Sequence, residues 1–261
     1  MLMDEVVKSI TDRVLDEGLS IKPLNCVVGL RYTAVVAEIN GEKYGGVSYT
    51  PQEDISHVKQ LVSRVSDISI DSLPKLFSSP DFVGRAIAMA FMNAVSSALF
   101  DLPSGSVGKD LLDVMGFEPS DKVAFIGDIE PLIKELKGRV EEIYVFERSP
   151  LRRRNALSDS AIYRLLPNAT KVVISGAALV NDTIDAILEL SSGAKEVAVV
   201  GATASVYPEP LFRRGIDIVA GFRLSSDTID EAVEAISLAF GTRRLYNYGV
   251  KYVLTSQSFK K

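Results

Sequence analysis

The sequence predicts an α/β protein in two parts, a small α+β domain over residues 1–105 and a doubly wound parallel sheet over residues 106–261. Three observations carry this. Asn40-Gly41 sits between two strand-forming runs, 32–39 and 44–49, and is a strong hairpin-turn signal. Residues 101–121, DLPSGSVGKDLLDVMGFEPSD, are rich in Pro, Gly, Ser and Asp, and read as a junction. Beyond the junction, short β-branched runs alternate with helical patterns, as in a parallel sheet with crossover helices.

Each element follows from local signals. Val6, Val7, Ile10 and Val14 share one helical face, and Gly18 stops that helix. Residues 24–30 form a strand before the hairpin. Residues 53–65 and 72–77 carry helical patterns. Ser79-Pro80-Asp81 starts a long, apolar helix reaching about residue 100. Arg85, Asn93 and Ser96 fall within about 80° of one another on that helix. Such a stripe faces either a ligand cleft or polar groups of loops and of the second domain. In the second part, strands are expected at 123–126, 143–146, 172–174, 197–200, 216–220 and 252–254. Helices are expected at 131–137, 160–166, 182–190, 210–214 and 228–240.

Composition narrows the function. The chain is 47% hydrophobic and 24% charged, as in ordinary globular proteins. A net charge of −5 argues against nucleic-acid or anionic-membrane partners. One cysteine, Cys26, excludes an internal disulfide and suits a reducing cytoplasm. The N-terminus is acidic and unlike a signal peptide. The apolar run at 86–100 is interrupted by Asn93 and two serines, too polar for a membrane span. The partner is therefore a small molecule or a metal, and a homo-oligomer stays open.

Candidate site residues lie at the carboxyl ends of the second-part strands, where such sheets bind ligands. The organising stretch is 171–190, KVVISGAALVNDTIDAILEL. It is a strand, then a tight turn through Ser175-Gly176, then a helix opened by Asn181-Asp182-Thr183. Gly127 follows the first strand, but a lone glycine is not the GxGxxG fingerprint. Glu147-Arg148 ends the second strand. An acid there, about twenty residues beyond Gly127, can accept ribose hydroxyls. Gly201 and Thr203 follow the fourth strand. Arg152-Arg153-Arg154 reads as a solvated loop or an anion contact. His57 is the only histidine and sits in an expected surface helix; Cys26 reads as a packing residue. A zinc site of Cys and His ligands cannot be assembled, so a metal would need oxygen ligands or ligands brought by a small molecule.

The stretches VVISGAALVNDTIDAILEL and VAVVGATASVYPEPLFRRGIDIVAG, with GLRYTAVVAEINGEKYGGVSYT and GRAIAMAFMNAVSSALF before them, resemble the putative heavy-metal chelation family. The resemblance implies an enolase-N-terminal-like domain followed by a Rossmann-like domain. It also implies metal chelation, a divalent metal as cofactor, and a link to anaerobic cobalamin synthesis. Its most specific residues are Ser175, Gly176, Asn181, Thr183, Gly201, Thr203 and Gly221. Two functions compete: a metal- or metallo-ligand-handling protein, and an enzyme or binding protein for a nucleotide-like or S-adenosylmethionine-like anion that uses Glu147. A regulatory scaffold without chemistry is the third. Either active reading places the site in a cleft between the two domains. Its floor would be Gly127, Ser175, Gly176, Asn181, Thr183, Gly201 and Thr203, and its roof Arg31, Tyr32 and Thr33.

Overall fold

The computed structural model describes residues 1–55, 59–150 and 152–259. It contains a three-stranded antiparallel sheet and a six-stranded, mostly parallel sheet. The chain opens with helix α1 (Leu2–Asp16), whose Val6, Val7, Ile10 and Val14 are buried as their spacing requires. The meander β1 (Ile21–Val28), β2 (Tyr32–Ile39) and β3 (Glu42–Tyr49) follows. Asn40 and Gly41 both adopt positive φ, 50° and 87°, as a two-residue hairpin turn of primed type demands. That turn fixes the register, so Tyr32 pairs directly with Tyr49.

Short helix α2 (Leu73–Phe77) leads to α3 (Phe82–Leu99). Asp81 caps α3 by accepting the Gly84 amide at 3.0 Å. Val35, Ala37 and Ile39 of β2 pack in one core with α3. Gly46 permits the closest approach: a Cβ there would lie 2.0 Å from the Ala90 carbonyl and 2.3 Å from the Ala94 nitrogen. By length and composition α3 could cross a membrane, yet 78% of it is buried inside the molecule. Its polar stripe bonds inward. Asn93 Nδ2 donates to the carbonyls of Val47 at 2.7 Å, Ala202 at 3.3 Å and Thr203 at 3.2 Å. Ser96 accepts the Tyr207 amide at 2.8 Å. Arg85 pairs with Asp182 at 3.0 Å.

The second sheet runs in the order β5-β4-β6-β7-β8-β9. Its strands are β4 (Lys122–Ile126), β5 (Glu142–Phe146), β6 (Lys171–Ser175), β7 (Glu196–Val200), β8 (Ile218–Leu224) and β9 (Gly249–Thr255). All pairings are parallel except β8 with β9. The winding reverses at β4, which lies between β5 and β6, and this reversal opens a crevice at the strand ends. Helices cover both faces. Val123, Phe125, Val173 and Ala198 pack with α4 (Leu111–Met115) and α5 (Glu130–Leu136). Ala124, Val172, Ile174 and Val199 point the other way, into the core shared with α3. On that side the chain adds α6 (Ile162–Leu165), α7 (Ala177–Val180), α8 (Ile184–Leu190) and α9 (Glu209–Arg213). Helix α10 (Ile229–Ser237) leaves the second sheet and covers the first. Its Ile229, Ala232, Val233 and Ile236 pack on Ala34, Val36 and Val47. With α3 on one face and α10 on the other, β2 is buried on both sides, so its centre, residues 34–37, is continuously apolar. Two short helices, α11 (Thr242–Leu245) and α12 (Ser256–Phe259), end the described chain.

Several sequence expectations differ from this. No α-helix occupies 53–65 among the described residues; a 3-10 turn at Gln52–Asp54 stands there, and residues 56–58, with His57, lie outside those described. The cause is side-chain competition for backbone donors. Asp67 accepts the amides of Ser63 and Arg64, and Asp81 accepts that of Leu61. The expected junction contains α4, capped by Asp110. The expected small-residue turn after β6 contains α7, and the helix expected at 182–190 starts only at Ile184 as α8, because Asp182 adopts a positive φ of 66°. Asn181 is not an N-cap there; its Oδ1 accepts the Thr183 amide and hydroxyl instead.

Two stability predictions follow from this packing. Asn93→Leu keeps the branched shape, with somewhat bulkier ends, but strips the donor from three buried carbonyls. It should lower unfolding free energy by roughly 1–3 kcal/mol in urea titration, and an unchanged midpoint would remove Asn93 from its anchoring role. Asp121 is fully buried before β4. Burial works to raise its pKa, but the Glu118 amide, the Thr170 hydroxyl and the ammonium groups of Lys171 and Lys195 together hold it below the ordinary value. A depressed folded pKa contributes stability above the unfolded pKa, and that contribution is lost as pH falls through the folded value. Asp121→Asn should therefore flatten the acid limb of the stability–pH curve below about pH 4; a limb as steep as wild type would refute this.

Candidate functional site

The strand ends of the second sheet and the open end of the first enclose one cleft of about 1490 Å³. Its floor consists of small residues. Gly127 after β4 and Gly201 after β7 hold φ of 106° and 109°, conformations that favour glycine. Gly176 after β6 lies against the next loop, since a Cβ there would meet the Ala204 nitrogen at 2.8 Å. Ser175, Asn181, Thr183 and Thr203 line the same cleft. From the first sheet come Arg31, Tyr32 and Tyr49, and from the chain after α10 come Thr242, Arg243 and Tyr246.

Ten of the eleven residues expected at the site thus line this cleft: Arg31, Tyr32, Gly127, Glu147, Ser175, Gly176, Asn181, Thr183, Gly201 and Thr203. Thr33 does not. It faces α3, fully buried, and its hydroxyl bonds to that of Thr50 at 3.0 Å. The alternation of side chains along β2 sends Tyr32 to the cleft and Thr33 to the core. The stripe Arg85, Asn93 and Ser96 also lies outside the cleft lining; Asn93 Nδ2 and Ser96 bond to backbone and Arg85 pairs with Asp182, while Asn93 Oδ1 is buried without a partner among the described residues.

Several lining residues are held by protein partners. Glu147 accepts the Asp128 amide at 3.2 Å and the Ser149 amide at 2.8 Å, so it ties the loops after β4 and β5 together. Thr203 Oγ1 accepts the Tyr49 amide at 2.8 Å and joins the first sheet to the β7 loop. Arg148 reaches Asp54 at 2.6 Å. Burial raises the Asp54 carboxyl, and Arg148 opposes that rise. The Tyr32 hydroxyl lies 2.6 Å from that of Thr242. Burial also pushes the Tyr49 phenol up; Arg152 opposes this, and the bonds to Glu53 reinforce it.

The arginine run is not simply a solvated loop. Arg153 donates to the carbonyls of Glu147 and Arg148, and Arg154 pairs with Glu130 at 2.9 Å. Arg152 lies over the Tyr49 ring, 4.9 Å from its centroid.

Charge is unevenly satisfied. Seven cations line the cleft: Arg31, Lys109, Arg148, Arg152, Arg154, Arg243 and Lys251. Among the described residues only Arg148 and Arg154 form ion pairs, which leaves five without a carboxylate. The lining acids are mostly engaged. Glu53 takes the Tyr49 hydroxyl, Asp110 caps α4, Glu130 pairs with Lys134 and Arg154, Glu147 holds two amides, and Asp182 pairs with Arg85. The lining also holds seven carboxylates, so its formal charges balance; what is uneven is the pairing, which among the described residues leaves five cations with no acid at ion-pair distance.

Sequence reasoning missed Tyr49, Thr242 and Arg243. The first was available: a two-residue turn at Asn40-Gly41 makes Tyr49 the cross-strand partner of Tyr32. Thr242 and Arg243 lacked a signal, because α11 reaches the cleft only through the placement of α10 on the first sheet.

Two family models match this chain, both described as putative heavy-metal chelation, one over residues 12–96 and the other over residues 110–255. An uncharacterized protein of Methanocaldococcus jannaschii is 30% identical over 257 residues, 97% of this chain and 98% of its own length. A crystal structure of a DUF364-family protein of unknown function from Pyrococcus horikoshii superimposes with a TM-score of 0.83 and 26% identity. That match covers 98% of this chain and all of the other. Another of the same family, from Desulfitobacterium hafniense, shares the fold with a TM-score of 0.78 at 19% identity, covering 97% and 99%. Matches that span both halves, at this identity and coverage, mean that the chain belongs to the putative heavy-metal chelation family.

Proposed function

We propose that the protein is a small-ligand-binding protein whose site is the cleft between its two sheets, and that the ligand is an anion. The observation that carries this reading is the set of five cations that, among the described residues, have no carboxylate partner, in a cleft whose strand ends are rich in glycine, serine and threonine. Clefts with two walls exclude water and strengthen charge interactions, so polyanions are favoured there. The small floor lets backbone groups approach a ligand closely, while Arg31 and Arg243 supply planar donors suited to carboxylate or phosphate.

The metal chelation and cobalamin link implied for the family belong to this reading as proposals, with the metal entering in the company of such a ligand. A nucleotide-like or S-adenosylmethionine-like ligand is the second reading. The winding reversal at β4 favours it, because doubly wound sheets bind nucleotides at such points. The engagement of Glu147 by two amides weighs against a ribose contact at that residue.

Binding of citrate, inorganic phosphate, ATP and S-adenosylmethionine by isothermal titration calorimetry tests both. An anion should bind with an affinity that falls as salt rises. Arg31→Ala with Arg243→Ala should weaken that binding about tenfold or more, at roughly 1–2 kcal/mol per charge-assisted contact, with little change in melting temperature. Affinity unaffected by the double substitution would place the anion elsewhere and remove the reading.

A further inference from the structure

The family description implies a heavy metal, and the donor set of this chain does not match one. Among the described residues no three His, Cys, Asp or Glu side chains come together in a group able to hold a metal ion. Heavy metals favour thiolate, thioether and imidazole ligands. The one cysteine, Cys26, is on β1 outside the cleft, and burial pushes its thiol up to about 11, away from the thiolate. Met3, Met89, Met92 and Met115 are buried in the core. The carboxylates that line the cleft are, with the exception of Asp128, bonded to other side chains or to amides among the described residues. A bare divalent cation would also meet Arg31, Arg152 and Arg243, none of which forms an ion pair among the described residues. These residues do not fit a naked metal ion.

The same residues fit the opposite charge. We infer that the cleft takes a metal only as an anionic complex, in which a small polycarboxylate chelator supplies the donors and its outward carboxylates meet Arg31, Arg152 and Arg243. The protein then recognises the chelator, and the metal travels as part of it. This rests on the anionic-ligand reading and deepens it by naming the ligand class.

The test is equilibrium dialysis of the full chain in a non-coordinating buffer, with metal measured by atomic absorption. Three probes are used: nickel(II) chloride, citrate, and preformed nickel(II) citrate. The expected result is retention of nickel citrate approaching one per chain, at a concentration where nickel chloride retention is at least tenfold lower. A triple variant, Arg31→Ala, Arg152→Ala and Arg243→Ala, should reduce retention of the complex tenfold or more while its melting temperature stays near that of wild type. Arg31→Lys should recover part of the loss, which a merely structural arginine would not require. Stoichiometric retention of nickel chloride alone, undiminished in the triple variant, would overturn the inference. Citrate bound equally well with and without nickel, but carrying none into the protein, would also overturn it and leave the anionic cleft standing. Failure of citrate and the complex alike would remove the anionic-ligand reading itself.

Discussion

The side-chain amide of Asn93 is the contact on which the arrangement of this molecule depends. It sits on a helix that is otherwise apolar nearly all round, and it donates to three carbonyls from two separate parts of the chain. Two of those carbonyls belong to the loop after β7, the third to β3. A buried amide needs partners, and here the partners hold helix, hairpin and strand-end loop in one geometry. The Thr203 hydroxyl, which accepts from the Tyr49 amide, repeats the same connection a few residues away. The two halves are joined by directional bonds as well as by apolar packing, so the width of the cleft between them is defined.

The cleft inherits its character from this joining. Its carboxylates hold the walls: Glu147 joins two loops, Asp182 pairs with Arg85, and Asp54 pairs with Arg148. Such bonds fix those acids in place without discharging them, so the lining stays formally balanced. What the same contacts leave, among the described residues, is a set of arginines with no acid beside them, Arg31, Arg152 and Arg243.

Much of the fold was legible in the sequence because it was written in local signals. Asn40-Gly41 specified the hairpin and its register, Asp81 the start of α3, and the β-branched runs the buried parallel strands. The site was legible where it depended on strand ends, as at Gly127, Gly176 and Gly201. It was not legible where long-range placement decided the outcome. Thr33 and Tyr32 are neighbours of similar polarity, and only the packing of α3 and α10 on opposite faces decides which one reaches the cleft. Helical periodicity at 53–65 misled, since Asp67 and Asp81 take the amides a helix would need. The roles of Arg85, Asn93 and Ser96 were open from sequence, because a polar stripe records a need for partners without naming them.

Helix α10 lies over the outer face of the first sheet, although more than 170 residues separate it from β3. During synthesis Ala34, Val36 and Val47 emerge early and remain uncovered until Ile229, Val233 and Ile236 leave the ribosome. The meander and α3 can collapse on one side alone in that interval, with an apolar sheet face still wet. Completion of the first layer is therefore a late event of chain growth, followed only by α11, β9 and α12. The same helix places α11, with Thr242 and Arg243, at the cleft, so the cleft gains its final wall only when the hairpin gains its cover.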